Sequence, residues 1–165
     1  MSHPHLELRA HAKLNLFLEV VARRPDGYHD LETVMQAISL HDDITLRLTD
    51  QEQLTLERAG LPVDVPVEHD LCSRAARSFY SAAGTAPRVS MALMKRIPPG
   101  SGLGGGSSDA AQVLTGLNAL HGHPLEPKKL LELASQIGSD VAFFLRGGRA
   151  LCHGRGERVT QLEER

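Results

Sequence analysis

The residues best suited to chemistry surround one glycine-rich stretch, PPGSGLGGGSSDAA, which runs from Pro98 to Ala111. Glycines let backbone N–H groups approach an anion closely, and a helix N-terminus adds free N–H donors and the positive end of its dipole. A tight turn needs one or two glycines, whereas five stand between Gly100 and Gly106. The stretch therefore predicts a phosphate-binding loop rather than an ordinary turn.

Three familiar phosphate loops fit this stretch poorly. A Walker A loop requires lysine where Gly106 stands. The dinucleotide pattern G-x-G-x-x-G matches Gly100–Gly105, but Pro98-Pro99 intervenes before it, and Glu126–Ile137 reads as a helix instead of a strand ending in an acid. The protein-kinase loop requires a nearby Val-Ala-Ile-Lys strand, which the sequence lacks.

Phosphoryl transfer to an alcohol also requires a carboxylate near the hydroxyl and a cation near the transferring group. Asp140 precedes the apolar segment VAFFL, so it enters an apolar element as a charge, although it could equally cap the next turn. Lys13 lies in an alternating strand on the face of Asn15 and Phe17, where a lysine is usually a solvated edge residue. These patterns leave both alternatives open for each residue.

Composition limits the function class. The 165 residues carry a formal net charge of −2, with 4% aromatic residues and no Trp, which disfavours a nucleic-acid partner. Cys72 and Cys152 lie too far apart for a zinc or redox motif, and they are expected to be buried thiols. The N-terminal histidines, His3, His5 and His11, are expected to bind nothing specific.

The apolar runs are too short to span a bilayer, and the N-terminus lacks the apolar core of a signal peptide. These features predict a cytoplasmic protein with no membrane partner.

Apolar periodicity predicts a mixture of strands and helices without regular βαβ alternation, hence an α+β fold. Predicted helices cover Leu71–Ala83 with Asp70 as cap, Ser107–Leu120 capped by Ser107 or Ser108, and Pro127–Ile137 with Gly138 as stop. Predicted strands cover Leu6–Ala10, Ala12–Val21, Ile44–Leu48 paired with Leu54–Glu57 in a hairpin, Arg88–Met94, and a terminal hairpin of Arg149–His153 and Arg158–Leu162. The segment Leu31–Leu40 is ambiguous between strand and helix.

The glycine-rich stretch resembles the ATP loop of the GHMP kinases, the superfamily of galactokinase, homoserine kinase and mevalonate kinases. Its expanded form, GLGGGSSDAA, is similar to one branch of that family. The matching motifs lie between about Leu8 and Leu162 and occur in the same order as in the family. They include AKLNLFL (Ala12–Leu18), RRPDGYHDLETVMQ (Arg23–Gln36), RAA (Arg74–Ala76), KRIPPG (Lys95–Gly100), GSDVAFFLRG (Gly138–Gly147) and GRGE (Gly154–Glu157).

The resemblance implies the α+β GHMP kinase N-terminal domain, related to ribosomal protein S5 domain 2. It implies an ATP-dependent small-molecule kinase with ATP and Mg²⁺, although no magnesium ligand is identified. The similar branch phosphorylates a hydroxyl of a cytidine diphosphate-linked methylerythritol in the non-mevalonate isoprenoid pathway. Another small-molecule GHMP kinase, or a nucleotide-binding module without efficient turnover, is the alternative.

Site residues follow from the same resemblance. Lys13 and Asp140 match the catalytic pair, and Asn15, Tyr28 and His29 match the substrate-binding residues. The implied ATP-binding residues are Pro98, Pro99, Gly100, Ser101, Gly102, Leu103, Gly104, Gly105, Gly106, Ser107 and Ser108.

The sequence departs from the family in two places. The family often has Asp-Asn-Leu where His69-Asp70-Leu71 stands, so a nucleotide contact from that Asn is not carried over. The chain resembles the N-terminal domain alone, over residues 1–165, and the family's C-terminal domain is expected to be absent from it.

Overall fold

Six strands and four α-helices make up the part of the chain that the structure describes, residues 3–23, 27 and 29–163 of a computed structural model. The strands are β1 (His5–Arg23), β2 (His29–Leu48), β3 (Leu54–Gly60), β4 (Val89–Lys95), β5 (Arg149–Gly154) and β6 (Arg158–Gln161). The helices are α1 (Leu71–Ala83), α2 (Gly105–Leu120), α3 (Pro127–Ile137) and α4 (Val141–Phe144), and a short 3₁₀ helix covers Val67–His69.

The strands form one mixed sheet in the order β3-β4-β2-β5-β6, and β1 also pairs with β2. Only β3 and β4 run parallel; the remaining pairs are antiparallel. The predicted α+β class is therefore confirmed. The predicted terminal hairpin is also confirmed, since β5 and β6 pair in antiparallel fashion, with Ala150 opposite Gln161 and His153 opposite Arg158.

The predicted hairpin of Ile44–Leu48 with Leu54–Glu57 is wrong. Strand β4 lies between these segments, antiparallel to β2 and parallel to β3. Helix α1 connects β3 to β4, which makes this part of the fold a βαβ unit. Val89, Met91 and Leu93 alternate along β4 and are buried, so the apolar face of this strand gains more cover in the interior of the sheet than at its edge.

Two predicted strands, Leu6–Ala10 and Ala12–Val21, prove to be one long strand. The irregularity between them is a register shift in which His11 pairs with His41 but Lys13 pairs with Ala37. Such bulges redirect side chains without ending a strand. Similarly, the ambiguous segment Leu31–Leu40 is extended and continues into β2.

The core lies between the sheet and the helices. Phe79 and Tyr80 of α1 and Leu117 of α2 are among its largest buried side chains. A Cβ added to Gly116 would come within 2.6 Å of Leu46 Cδ1, so this glycine lets α2 approach the sheet closely.

The two cysteines are buried and free, in agreement with the expectation. No helix in the described ranges is long and apolar enough to cross a membrane.

The outer part of the β1–β2 ribbon exposes an unusual amount of apolar surface, which we call the apolar arm. Its members are Leu14, Leu16, Phe17, Leu18, Val20 and Val21, which are 43% to 61% exposed. Successive strand residues point to opposite faces. Because Leu16, Phe17 and Leu18 are consecutive and all exposed, neither face of the arm is covered in this structure.

Candidate active site

The glycine-rich stretch forms the loop between β4 and α2. Gly100, Gly102 and Gly104 adopt positive φ angles of 73°, 77° and 75°, whereas the intervening Ser101 and Leu103 do not. Alternating signs of φ turn successive N–H groups toward one concave side, which forms an anion-binding nest. The loop therefore has the backbone geometry expected of a phosphate site.

The predicted capping of α2 by Ser107 or Ser108 is wrong. The N-cap is Gly104, in the left-handed conformation, and no described side chain caps this end of the helix. Ser108 lies within the helix, where its N–H donates to the carbonyl of Gly104 at 2.9 Å. A cap from Ser or Asp would occupy a first-turn N–H. The glycine cap leaves these donors available to an anion.

A cavity of about 500 Å³ opens beside the loop. Nine of the eleven predicted ATP-binding residues line it, and Leu103 and Ser108 do not. The rest of its wall consists of Val63, Val65, His69, Asp70, Leu71, Leu93, Lys95, Asp109 and Asp140. A volume of this size suits a nucleotide-sized ligand, with the apolar side chains available to a ring and the loop available to phosphates.

Lys13 and Asp140 meet at the edge of this site. Lys13 Nζ lies 3.5 Å from Asp140 Oδ2, and the two side chains are 7% and 29% exposed. Lys13 is therefore buried and is not a solvated edge lysine. Asp140 occupies the N-cap position of α4 but makes no capping hydrogen bond from its side chain. The structure brings together the two residues that the resemblance assigns to catalysis.

Hydrogen bonds fix Lys13 from two directions. Its backbone N–H donates to Leu103 O at 2.9 Å, which joins β1 to the glycine-rich loop. Its ammonium donates to Asn15 Oδ1 at 2.5 Å, and Asn15 Nδ2 donates to Thr33 Oγ1 at 2.7 Å. Thr33 in turn donates to Phe17 O at 2.5 Å. Sequence reasoning missed Thr33, because a threonine on a strand carries no distinguishing signal.

Close packing explains why the loop, Lys13 and α4 converge. A Cβ on Gly104 would lie 2.8 Å from Phe144 Cζ and 3.2 Å from Lys13 Cγ. A Cβ on Gly156 would lie 3.4 Å from Asp140 Oδ1, so the GRGE turn also borders the carboxylate. Glycines at these two positions permit the backbone to approach Lys13 and Asp140.

The predicted substrate-binding residues are Asn15, Tyr28 and His29. Asn15 contacts Lys13 directly. His29 is exposed at the start of β2, opposite Arg23, and does not line the cavity. Tyr28 lies outside the described residues, so its assignment stays a prediction.

A buried ionic cluster beneath the loop was not predicted as a unit. Lys95 Nζ donates to Asp42 Oδ2 and, at 2.8 Å, to Asp109 Oδ2. Asp42 shares the strand face of the buried Ile44 and Leu46, so its alternation with the core residues was a signal that could have identified it.

Among the described residues, no group of three or more His, Cys, Asp or Glu side chains is placed to hold a metal ion. The carboxylates of Asp42 and Asp109, which lie near the loop, already pair with Lys95.

The chain is similar in sequence to known kinases. Residues 70–148 match the sequence model of the GHMP kinases N terminal domain. The chain is 45% identical over 160 residues to the 4-diphosphocytidyl-2-C-methyl-D-erythritol kinase of Solibacter usitatus, covering 97% of this chain and 50% of that protein. It is 46% identical over 158 residues to the enzyme of the same name from Thermotoga maritima, covering 96% and 56%. The chain thus spans about half the length of the curated relatives it matches.

Solved structures confirm the fold. A crystal structure of 4-(cytidine 5′-diphospho)-2C-methyl-D-erythritol kinase aligns with a TM-score of 0.79 at 43% identity, over 95% of this chain and 55% of that one. The mevalonate kinase of Methanococcus jannaschii aligns with a TM-score of 0.68 at 14% identity, over 99% and 56%, a likeness of fold alone.

Proposed function

We propose a kinase function for this chain, which belongs to the GHMP kinase family: it binds ATP at the glycine-rich loop and transfers the γ-phosphoryl group to a hydroxyl of 4-diphosphocytidyl-2-C-methyl-D-erythritol. One observation carries the proposal. A nest of left-handed glycines and Asp140 border the same cavity, and Lys13 Nζ lies 3.5 Å from Asp140 Oδ2. The names of relatives at 43% to 46% identity supply the acceptor.

In this proposal the protein positions ATP mainly through its backbone. The uncapped first turn of α2 and the nest donate N–H groups to the phosphates, while Leu71 and Leu93 offer apolar contact to the base. The helix dipole contributes only about 0.3–1 kcal/mol at an exposed end. Several converging N–H groups therefore account for more of the affinity than the dipole does.

Asp140 then accepts the proton of the attacking hydroxyl as the new O–P bond forms and ADP leaves. Lys13 holds the carboxylate and adds positive charge near the transferring group, where fixed charge stabilises the transition state. Magnesium neutralises nucleotide phosphate charge in this class of reaction. We propose that it arrives with ATP. The proposal includes the cytoplasmic location that the sequence predicts.

The acceptor is tested by measuring ATP-dependent phosphorylation of the cytidine substrate beside mevalonate and homoserine. We expect the cytidine substrate to be the preferred acceptor. Faster phosphorylation of mevalonate or homoserine would assign the chain to another branch of the family.

The 165-residue polypeptide is expected to bind ATP but to phosphorylate the acceptor slowly. The relatives are about twice as long, and we propose that their remaining half completes the acceptor pocket beside Asn15 and covers the apolar arm. A missing wall removes orientation of the acceptor, which can lower a barrier by roughly 7–11 kcal/mol in the best cases.

The comparison uses this polypeptide and the same polypeptide joined to the corresponding half of the Thermotoga maritima relative. ATP affinity should be similar in both, and the kinase rate should be higher in the longer form. Equal rates would show that the added half contributes nothing to the site.

Tyr28→Ala is expected to weaken the cytidine substrate and spare ATP. A stacked ring–base contact is worth about 1–3 kcal/mol in single-strand nucleic-acid sites. Tyr28→Phe keeps the ring and serves as the matched control, which should retain most of the affinity. Equal losses of both ligands in the alanine variant would indicate a folding defect instead of a lost base contact.

A further inference from the structure

The ionic cluster of Lys95, Asp42 and Asp109 lies directly beneath the glycine-rich loop. All three residues are buried, with at most 4% of each exposed. A Cβ on Gly105 would lie 2.8 Å from Lys95 Nζ, so the ammonium touches the first residue of α2. Lys95 and Asp109 also line the proposed nucleotide cavity. The charge state of this cluster therefore acts on the loop at close range.

The two carboxylates differ in how well they are paired. Asp42 uses both oxygens: Oδ2 accepts from Lys95, and Oδ1 accepts from the backbone N–H groups of Arg96 at 2.5 Å and Ile97 at 2.8 Å. Asp109 Oδ2 accepts from Lys95, but its Oδ1 is buried without a hydrogen-bond partner among the described residues. A buried charged oxygen without a donor is costly, and a proton on it removes that cost.

We propose that Asp109 is a proton acceptor linked to nucleotide binding, so that the arrival of phosphates at the glycine-rich loop draws a proton onto its carboxylate. The inference rests on the proposed binding of ATP at this loop. It assigns Asp109 a positioning role beneath the site, not a catalytic one.

The local environment supports this assignment. Burial raises the pKa of Asp109 to about 7, against the opposing effect of Lys95 and with a further contribution from Asp42. Burial lowers the pKa of Lys95, but the two carboxylates outweigh it and raise the pKa above its ordinary value. Lys95 therefore stays charged near neutrality while Asp109 changes its protonation.

Phosphates add negative charge near Asp109, which disfavours its ionised form and raises its pKa further. Binding then takes up a proton, and by linkage the affinity for ATP falls as pH rises through and above about 7. For each unit by which binding raises the pKa of Asp109, the affinity for ATP is expected to be about tenfold lower at a pH above both the free and the bound pKa than at a pH below both.

Other titratable groups face the same region. Cys72 approaches from α1, and burial raises its pKa well above the ordinary value, so the thiol stays protonated. His69, Asp70 and Asp140 line the cavity. Asp70 is paired with Arg58 at 3.1 Å. His69→Gln, which removes an imidazole from the cavity wall, is the matched control.

The test is calorimetric titration of the 165-residue chain with ATP at pH 7.5, in two buffers that differ in ionisation enthalpy. The difference in heat gives the number of protons taken up. We expect a fractional uptake in the parent and in His69→Gln, and a smaller uptake in Asp109→Asn that reflects the nucleotide's own protonation. Asn keeps an acceptor for Lys95 without titrating, and Asp109→Ser is the second variant if Asn does not fold.

An infrared titration without nucleotide separates this inference from the proposed function. The parent should show a protonated-carboxyl band at pH 6 that disappears by about pH 8.5 and is missing from the variants. If this band is absent from the parent, the inference is overturned whether or not ATP binds. Equal proton uptake in parent and variants that bind ATP would also overturn it. A titrating band with no heat of ATP binding would overturn the proposed function and, with it, the linkage.

Discussion

Asp140→Asn is expected to lower the rate of phosphoryl transfer at least about 100-fold while changing ATP affinity no more than a few-fold. The amide keeps the size of the side chain but cannot accept the proton of the acceptor hydroxyl. Lys13, 3.5 Å away, would lose its charged partner, whereas the glycine nest proposed to bind the phosphates would be unchanged. The rate is measured in the extended form with the cytidine substrate, and the affinity by calorimetry.

Asp43→Asn is the matched control. Asp43 is an exposed carboxylate beside the cluster, and its pKa is lowered by a hydrogen bond from Arg96. Its loss should leave the rate close to that of the parent. A near-parent rate in Asp140→Asn would remove this residue from the mechanism.

Gly104→Val and Gly105→Val are expected to weaken ATP binding sharply. Gly104 has a φ of 75°, which a β-branched residue adopts only under strain. Its Cβ would collide with Phe144, and a Cβ at Gly105 would collide with Ile97 and Lys95 Nζ. Movement of the loop would misplace N–H donors, and each lost hydrogen bond to a charged phosphate costs about 1.5–3 kcal/mol, or roughly 10- to 100-fold in affinity.

Gly122→Val separates strain from ligand binding. Gly122 has a φ of 74° and open space around its Cβ direction, and it does not line the cavity. This variant should lose stability without losing ATP affinity. If folded Gly104→Val and Gly105→Val bound ATP as the parent does, the loop would be an ordinary turn.

Local signals predicted the helices better than the sheet. Helices α1 and α3 have the predicted bounds, because Asp70 caps α1 through the N–H of Cys72 and Pro127 begins α3. The position of β4 between β2 and β3 depends on contacts between distant segments, which turn residues do not encode.

The parts of the candidate site also differ in how far the sequence alone could predict them. The glycine pattern alone predicted a loop with the backbone geometry of a phosphate site, since that geometry lies in consecutive residues. Lys13 and Asp140 come from segments far apart in the chain. Only the family resemblance predicted that they lie together before the structure showed it. The cluster at Lys95 depends on the pairing of β2 with β4, which sets Asp43 opposite Met94 and brings the neighbouring Asp42 to Lys95.

Calorimetric titration of the 165-residue polypeptide with ATP tests the central claim most directly. We expect saturable binding of one ATP per chain, lost in Gly104→Val and kept in Gly122→Val. A folded polypeptide that gives no heat of binding with ATP, or that binds it equally in both variants, would contradict the assignment of the glycine-rich loop as the nucleotide site.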